Sequence, residues 1–204
     1  MYAVYSPNPA DAGVISELIL QSDCGMLTAL FGARVQDLLR WLLDRRDNPY
    51  SSSHALVVTE VLAGEARGPA IGAMVGALVS TTRAADLRTA AHLARWYGPA
   101  VIARLPRLAR AGAALEGLRR NDFYLSNIAV LPAQRGRGAG AFLLRAAEHR
   151  ARGAGAPRLV LDVEAHNDGA RAFYFRMGYA RESEVGIDLG RHGVFSFLRL
   201  ARML

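Results

Sequence analysis

The chain has 204 residues, of which 51% are hydrophobic and 21% charged, and this composition is typical of a folded globular protein. All 25 basic residues are arginine, and the lack of lysine excludes both a pyridoxal phosphate Schiff base and a Walker A phosphate loop. The net charge of +7 favours anionic partners, but it is not in itself a nucleic-acid signature. Without a membrane-length apolar run or a signal peptide pattern, we expect one cytoplasmic domain over residues 1–204 and no membrane partner.

The first 80 residues alternate between short strands and helices. Apolar residues at helical spacing predict helices over residues 10–21 and 35–46. Short β-prone runs predict strands over residues 2–6, 55–61 and 71–80, with the last two joined by a turn that contains Gly64, Gly68 and Pro69.

An arginine-rich segment at residues 83–119 interrupts this alternation. Together with the adjoining Arg120 it contains eight arginines against Asp86 and Glu116, and so carries +6 of the chain's net charge. Gly98 and Pro99 divide it into two helical stretches. We interpret it as a helical insertion whose arginines form either a solvated face or a surface that recognises an acidic acceptor or covers the site.

The remainder of the chain returns to alternating strands and helices. Strands are predicted at residues 123–130, 159–163, 184–189 and 194–200, with helices at residues 139–152 and 168–177. The order of elements predicts an α/β (α+β mixed) domain with a mixed sheet and helices packed on it.

A glycine-rich turn joins the strand at residues 123–130 to the helix that follows. It contains Gly136, Gly138 and Gly140, and glycine allows a ligand to approach the main chain closely. The start of a helix offers unpaired N–H groups and the positive end of its dipole, which suit a phosphate or pyrophosphate. Arg135 and Arg137 could add charge-assisted hydrogen bonds. The alternative is a purely structural turn between strand and helix.

The spacing of the glycines decides which phosphate ligand is favoured. G-x-G-x-G is not the G-x-G-x-x-G spacing of a dinucleotide site. The run from Ile128 to Pro132, followed by residues 134–140, resembles the acyl-CoA pyrophosphate motif of the GNAT superfamily of N-acetyltransferases. Asn167, Ala170 and residues 173–179 are similar to the second half of the same motif set. The resemblance is specific over residues 123–179.

The GNAT resemblance implies a fold, a cosubstrate and a site. The sheet is expected to be mixed, largely antiparallel and splayed between its fourth and fifth strands, with helices on both faces. Acetyl-CoA is expected to lie in that gap, with no metal. Its contacts would be the main chain near Ile128, Ala129 and Val130, the helix cap Asn167, and the loop formed by Arg135, Gly136, Arg137, Gly138, Ala139 and Gly140.

The resemblance also implies direct transfer of an acetyl group from acetyl-CoA to a primary amine. Tyr174 matches the tyrosine that protonates the leaving thiolate in many GNAT enzymes, and a tyrosine stays protonated at neutral pH. The alternative is that Tyr174 is a core residue. No carboxylate lies within residues 123–130, so the general base stays open: Asp122, Glu60 and Glu164 are candidates, as is a water chain ending at Ser126 or Asn127.

The acceptor and partners are less well defined. A small-molecule or peptide amine is expected, nucleic acid is not, and an exposed last strand would allow a homodimer. Two alternatives stay open: a longer acyl-CoA as donor, or an acyl-CoA sensor or nucleic-acid-associated module without catalysis. The five histidines show no metal-ligand spacing, and Cys24 is interpreted as a small packing residue or an inert thiol.

Overall fold

The computed structural model describes residues 1–61, 68–84 and 86–204. The described strands form a seven-stranded sheet in the order β1-β2-β3-β4-β5-β7-β6. Its β4–β5 pair is parallel and its other neighbouring pairs are antiparallel. The strands are β1 Tyr2–Tyr5, β2 Ala55–Glu60, β3 Ala70–Leu78, β4 Phe123–Val130, β5 Arg158–Glu164, β6 Ala180–Asp188 and β7 Val194–Met203.

Helices pack on both faces of this sheet, as predicted. They are α1 Ala12–Gln21, α2 Met26–Phe31, α3 Val35–Leu43, α4 Val79–Ala84, α5 Asp86–Tyr97, α6 Leu105–Ala113, α7 Ala139–Gly153 and α8 Asp168–Arg176. Because side chains alternate across a strand, Val57 packs with α1 and α3 on one face while Val58 packs with α7 and α8 on the other. Two apolar layers therefore hold the sheet between them.

The strands β4 and β5 separate along their length, which confirms the expected splay. They pair only from Phe123 opposite Leu159 to Leu125 opposite Leu161, although β4 continues for five more residues. A bulge at Ser126 marks the point of separation, because Val75 pairs with Asn127 while the next residue, Gly76, pairs with Leu125. A Cβ atom on Gly76 would lie 2.8 Å from the Phe123 ring and 2.9 Å from the Tyr124 carbonyl, so the bulge requires glycine there.

Three sequence predictions need correction. The helix α2 was missed, because its six residues lie between Gly25 and Gly32 and are too short to show a helical period. The strand predicted to end at residue 80 ends at Leu78, and α4 begins at once. The last strand is not exposed at an edge: β7 lies inside the sheet between β5 and β6, and the edge strands of the described sheet are β1 and β6. Most of the turn predicted around Gly64 lies outside the described residues.

The insertion is helical, and hydrogen bonds anchor it at its middle and at its C-terminal end. Within it α5 leads into a 3-10 helix, Gly98–Arg104, and then into α6. Tyr97 donates its hydroxyl hydrogen to the Phe31 carbonyl at 2.7 Å, and Arg107 donates to the Ala29 carbonyl at 2.9 Å. Arg199 on β7 donates to two carbonyls at the insertion's C-terminal end, those of Ala114 at 2.7 Å and Glu116 at 3.0 Å.

Candidate functional site

One large cavity passes through the split between β4 and β5. Its volume is about 1620 Å³, and it extends from the glycine-rich loop to the inner side of the insertion. Of the eleven residues predicted for the site, nine line it: Ile128, Ala129, Val130, Arg135, Gly136, Gly138, Gly140, Asn167 and Tyr174. Arg137 is exposed outside the lining, and Ala139 is buried in the core. The structure therefore brings most of the predicted residues together.

The glycine-rich loop leaves room for a ligand at the start of α7. Gly136 and Gly138 have φ values of +75° and +92°, a region that side chains other than glycine rarely adopt. Apart from the adjoining residues, no atom of the described chain lies within 4 Å of where a Cβ atom would stand on either glycine. The first N–H groups of α7 have no partner within the helix, so the loop and helix together fit a phosphate group.

The main chain of β4 presents a free edge to the cavity. The N–H of Leu131 donates to the Ile71 carbonyl at 2.8 Å, so every second residue of β4 directs its main-chain groups at β3. By this alternation Ala129 faces β3, whereas the groups of Ile128 and Val130 face the gap. Arg135 donates from Nε to the Val130 carbonyl at 3.1 Å, which attaches the loop to this edge.

Tyr174 and Asn167 enter the cavity from α8. Asn167 is the predicted helix cap: its Oδ1 accepts from the N–H of Ala170 at 3.0 Å. Tyr174 is 7% exposed, and its ring lies against those of Phe173 and Tyr179. Burial raises the pKa of Tyr174 well above the usual value for a tyrosine, so its hydroxyl keeps its proton at neutral pH.

The three carboxylates predicted as candidate bases have different environments. Asp122 is fully buried and accepts two hydrogen bonds from Arg158, at 2.7 and 2.8 Å, so it is an ion-pair residue of the core. Glu60 ends β2 and does not line the cavity. Only Glu164, at the end of β5, lines it. Two residues earlier, Asp162 also lines the cavity, but Arg199 binds both of its oxygens at 2.8 Å.

Sequence reasoning missed Asp23, which faces the same cavity from the loop between α1 and α2. Its Oδ2 accepts from the N–H groups of Gly25 at 2.9 Å and Leu27 at 3.0 Å, which fixes the side chain. Burial raises the pKa of Asp23 to about 6, and the negative charge of Glu164 adds to the rise. The D-x-G sequence indicates only a turn, and nothing local places it opposite β5.

The neighbouring cysteine is inert. Burial, followed by the charge of Asp23, raises the pKa of Cys24 to about 11. A thiol that stays protonated at neutral pH is a poor nucleophile, which agrees with its interpretation as a packing residue.

Comparison with known proteins assigns a segment of the chain to a known domain family and identifies the fold. Residues 85–179 match the model of the acetyltransferase (GNAT) family. The chain therefore carries a GNAT acetyltransferase domain over these residues. It is an enzyme that transfers an acyl group to an amine, and the GNAT family uses acetyl-CoA as the donor. No curated protein matches the sequence significantly.

Solved structures share this GNAT fold over almost the whole chain. An acetyltransferase crystal structure is 22% identical with a TM-score of 0.62, and the match covers 98% of each chain. An N-acetyltransferase from Staphylococcus aureus Mu50 is 15% identical with a TM-score of 0.65, covering 98% of this chain and 100% of that one. The NatC complex bound to Gag peptide and CoA is 14% identical with a TM-score of 0.60, covering 100% and 98%. At these identities the likeness concerns the fold.

Neither a membrane-spanning helix nor a metal-binding cluster is found among the described residues of this GNAT fold. Among the described residues, no helix combines the length and the apolar character needed to cross a membrane. Within the same residues, no group of three or more histidine, cysteine, aspartate or glutamate side chains is arranged to hold a metal ion.

Proposed function

We propose that the enzyme transfers the acetyl group of acetyl-CoA to a primary amine within a single domain that includes the insertion at residues 83–119. The observation that carries the proposal is that one cavity is lined by the glycine-rich loop, the free edge of β4 and Tyr174. A pyrophosphate, an extended pantetheine arm and a leaving thiolate need these three features in that order. The remaining volume leaves room for an amine.

The loop and the β4 edge hold the donor. The N–H groups at the start of α7 and the side chain of Arg135 suit the pyrophosphate. The main-chain groups of Ile128 and the N–H of Val130, which face the gap, suit an extended amide-bearing chain that takes the place of a neighbouring strand. Asn167, exposed at the start of α8, can hydrogen-bond the same arm from the opposite side through its side-chain amide.

The residues at the split then assist the transfer. Bound acetyl-CoA supplies a thioester carbonyl that a neutral amine attacks, so a C–N bond forms as the C–S bond breaks. Holding the two reactants in contact removes much of the entropic cost of the reaction. An N–H on the free edge of β4 stabilises the developing oxyanion. Tyr174 gives its proton to the leaving thiolate and regains one from solvent, which receives the proton lost by the amine.

Calorimetric titration with acetyl-CoA tests the donor site. Gly140 lies in the first turn of α7, and a Cβ atom added to it would have ordinary contacts, the nearest at 3.8 Å. The substitution Gly140→Leu therefore places bulk in the cavity without backbone strain. Gly153, at the other end of the same helix, is exposed and has open space around it, so Gly153→Leu is the matched control. We expect Gly140→Leu to weaken binding at least tenfold and Gly153→Leu to leave it unchanged. A wild-type protein that binds no acetyl-CoA would refute the proposal.

A further inference from the structure

The cavity is larger than one ligand requires. Pockets for a single small molecule have volumes of roughly 300–1,000 Å³, and this one has about 1620 Å³. The donor site proposed above accounts for the end formed by the glycine-rich loop, β4 and α8. The other end lies between α2 and the insertion, and it must hold the acceptor.

The acceptor end has apolar walls. The insertion contributes Leu93, Val101, Leu108 and Leu118, and α2 contributes apolar side chains from the opposite side: Leu27, Leu30 and Phe31. Of the insertion's arginines whose side chains the structure describes, none lines the cavity. The positive charge of the insertion is therefore directed away from the acceptor. Glu116 lines the cavity at the insertion's C-terminal end, where it is exposed to solvent, and the rest of the facing surface is largely hydrophobic.

Two carboxylates stand at the polar end of this region. Asp23 and Glu164 line the cavity from opposite elements, the α1–α2 loop and β5, and they are close enough for the charge of one to affect the other. In the described part of the chain neither forms an ion pair, whereas Asp122, Glu148 and Asp162 each bind an arginine. In a chain with 25 arginines and a net charge of +7, two partly buried carboxylates without an arginine can take their counter-ion from the acceptor.

We propose that the acceptor is a primary amine with an apolar body: its ammonium group binds Asp23 and Glu164, and its body lies against the inner face of the insertion. This inference depends on the acetyltransferase function proposed above. Asp23 then accepts one proton from the ammonium, which leaves the neutral amine that attacks the thioester. The apolar wall selects against acceptors whose far end is charged, because that charge would lose its water without gaining a partner.

A pair of amines of equal length tests this selection. With the full-length enzyme and saturating acetyl-CoA, release of free thiol is measured with hexylamine and with 1,6-diaminohexane, which differ only in the charge at the far end. We expect kcat/KM to be at least tenfold higher for hexylamine. Along butylamine, hexylamine and octylamine it should rise by as much as threefold to fourfold per buried methylene. Equal rates for hexylamine and 1,6-diaminohexane would overturn the inference.

Two pairs of variants locate the binding. Leu108→Asn alters the wall, and its control Ile102→Asn changes a side chain of the same insertion that is 66% exposed and outside the lining. We expect Leu108→Asn to reduce kcat/KM for hexylamine about tenfold but not for 1,6-diaminohexane, and Ile102→Asn to change neither. Equal effects of the two variants would contradict the assignment of the wall.

The second pair tests the carboxylate. Asp23→Asn keeps the turn geometry, and Asp188→Asn is its control, because Asp188 accepts from the N–H of Gly190 at 2.7 Å in a similar turn on the surface. We expect Asp23→Asn to lower kcat/KM at least a hundredfold while acetyl-CoA affinity, measured by calorimetry, is kept. A loss as small as that of Asp188→Asn would contradict the role of Asp23.

The donor must be tested separately from the acceptor. If hexanoyl-CoA with a short amine reacts faster than acetyl-CoA with hexylamine, the apolar wall holds the acyl chain and the inference fails. If acetyl-CoA binds and a peptide or diamine is acetylated in preference to hexylamine, the inference fails while the proposed function stands. If acetyl-CoA does not bind, the proposed function itself fails.

Discussion

The two ends of the cavity are built by different means. The proposed donor end is formed largely by main chain: positive-φ glycines, the first turn of α7 and the edge of β4 that faces the gap. The proposed acceptor end is formed by side chains from α2 and the insertion, together with a carboxylate from the loop before α2. A main-chain site imposes a spacing of glycines and strands that can be recognised in the sequence. A side-chain site depends on contacts between distant segments, and its specificity can change without any change in that spacing.

The largest effect is expected at Tyr174, which lies where the two proposed ends of the cavity meet. Tyr174→Phe removes the proposed proton donor while keeping the ring that packs against Phe173 and Tyr179. We expect kcat to fall by about 10²- to 10⁴-fold. Calorimetry should give an unchanged acetyl-CoA affinity, because the main-chain site does not use the hydroxyl.

The matched control for that hydroxyl is Tyr179→Phe. Tyr179 donates its hydroxyl hydrogen to Glu148 at 3.2 Å and does not line the cavity. This variant should lose some stability but keep its turnover rate. If both tyrosine variants retain full kcat, Tyr174 is a core residue rather than the acid.

A second prediction concerns the strands β4 and β5, because the cavity lies in the split between them. Asp122, which precedes β4, and Arg158, which begins β5, form a buried bidentate ion pair beside the paired portion of these strands. Asp122→Ala leaves the guanidinium without its main partner, so we expect the free energy of unfolding to fall by about 3–5 kcal/mol. Urea denaturation measures this loss.

Its control is an exposed pair of the same kind. Arg34 and Asp37 lie 3.6 Å apart with both side chains more than half exposed, so Asp37→Ala should change stability by less than about 1 kcal/mol. A comparable loss in the two variants would mean that the buried pair is no more important to the sheet than a surface pair.

A change of kcat/KM with pH is expected from Asp23, at the proposed acceptor end of the cavity. Asp23 is surrounded by Cys24, Tyr50 and Glu164, and burial raises its pKa from 3.8 to about 6. As a proton acceptor it must be ionised, so kcat/KM should rise about tenfold per pH unit up to about pH 6 and then level off. A pH–rate profile of the wild type and of Asp23→Asn checks this, because the variant should lack that limb.

The ionisation of Asp23, which raises kcat/KM, should lower the stability of the folded state. Because the folded state keeps the proton of Asp23 to a higher pH than the unfolded state does, the contribution of Asp23 to stability falls as the pH rises from about 4 to 6. Denaturation at several pH values should show this decline in the wild type and not in Asp23→Asn. A decline that persists in the variant must come from other groups.

Most residues of the proposed donor end could be named from the sequence, and the structure brings them to one cavity, because their determinants are local. The strand β4, the glycine-rich loop and α7 are contiguous, and the Asn167 cap precedes its helix directly. The general base could not be predicted in the same way. Asp122 was a candidate because its ion-pair partner, Arg158, lies 36 residues away and could not be recognised as its partner in the sequence. Asp23 is brought opposite Glu164 only by the complete fold.

The insertion shows a similar limit. Its helices and its central break were predicted, but not which residues face the cavity. In the 3-10 helix, three residues make a turn instead of 3.6. Successive side chains of such a helix point about 120° apart, so Val101 packs inwards while Ile102 is directed to solvent.

The manner in which the insertion is attached has a consequence for how the enzyme can diversify. Tyr97, Arg107 and Arg199 each anchor it by donating to carbonyl oxygens, those of Phe31, Ala29, Ala114 and Glu116. Every amino acid has such a carbonyl, so the side chains at the accepting positions can change while the attachment persists. Libraries that randomise the inner face of the insertion can therefore keep these three donors fixed and still explore new amines on an unaltered acetyl-transfer centre.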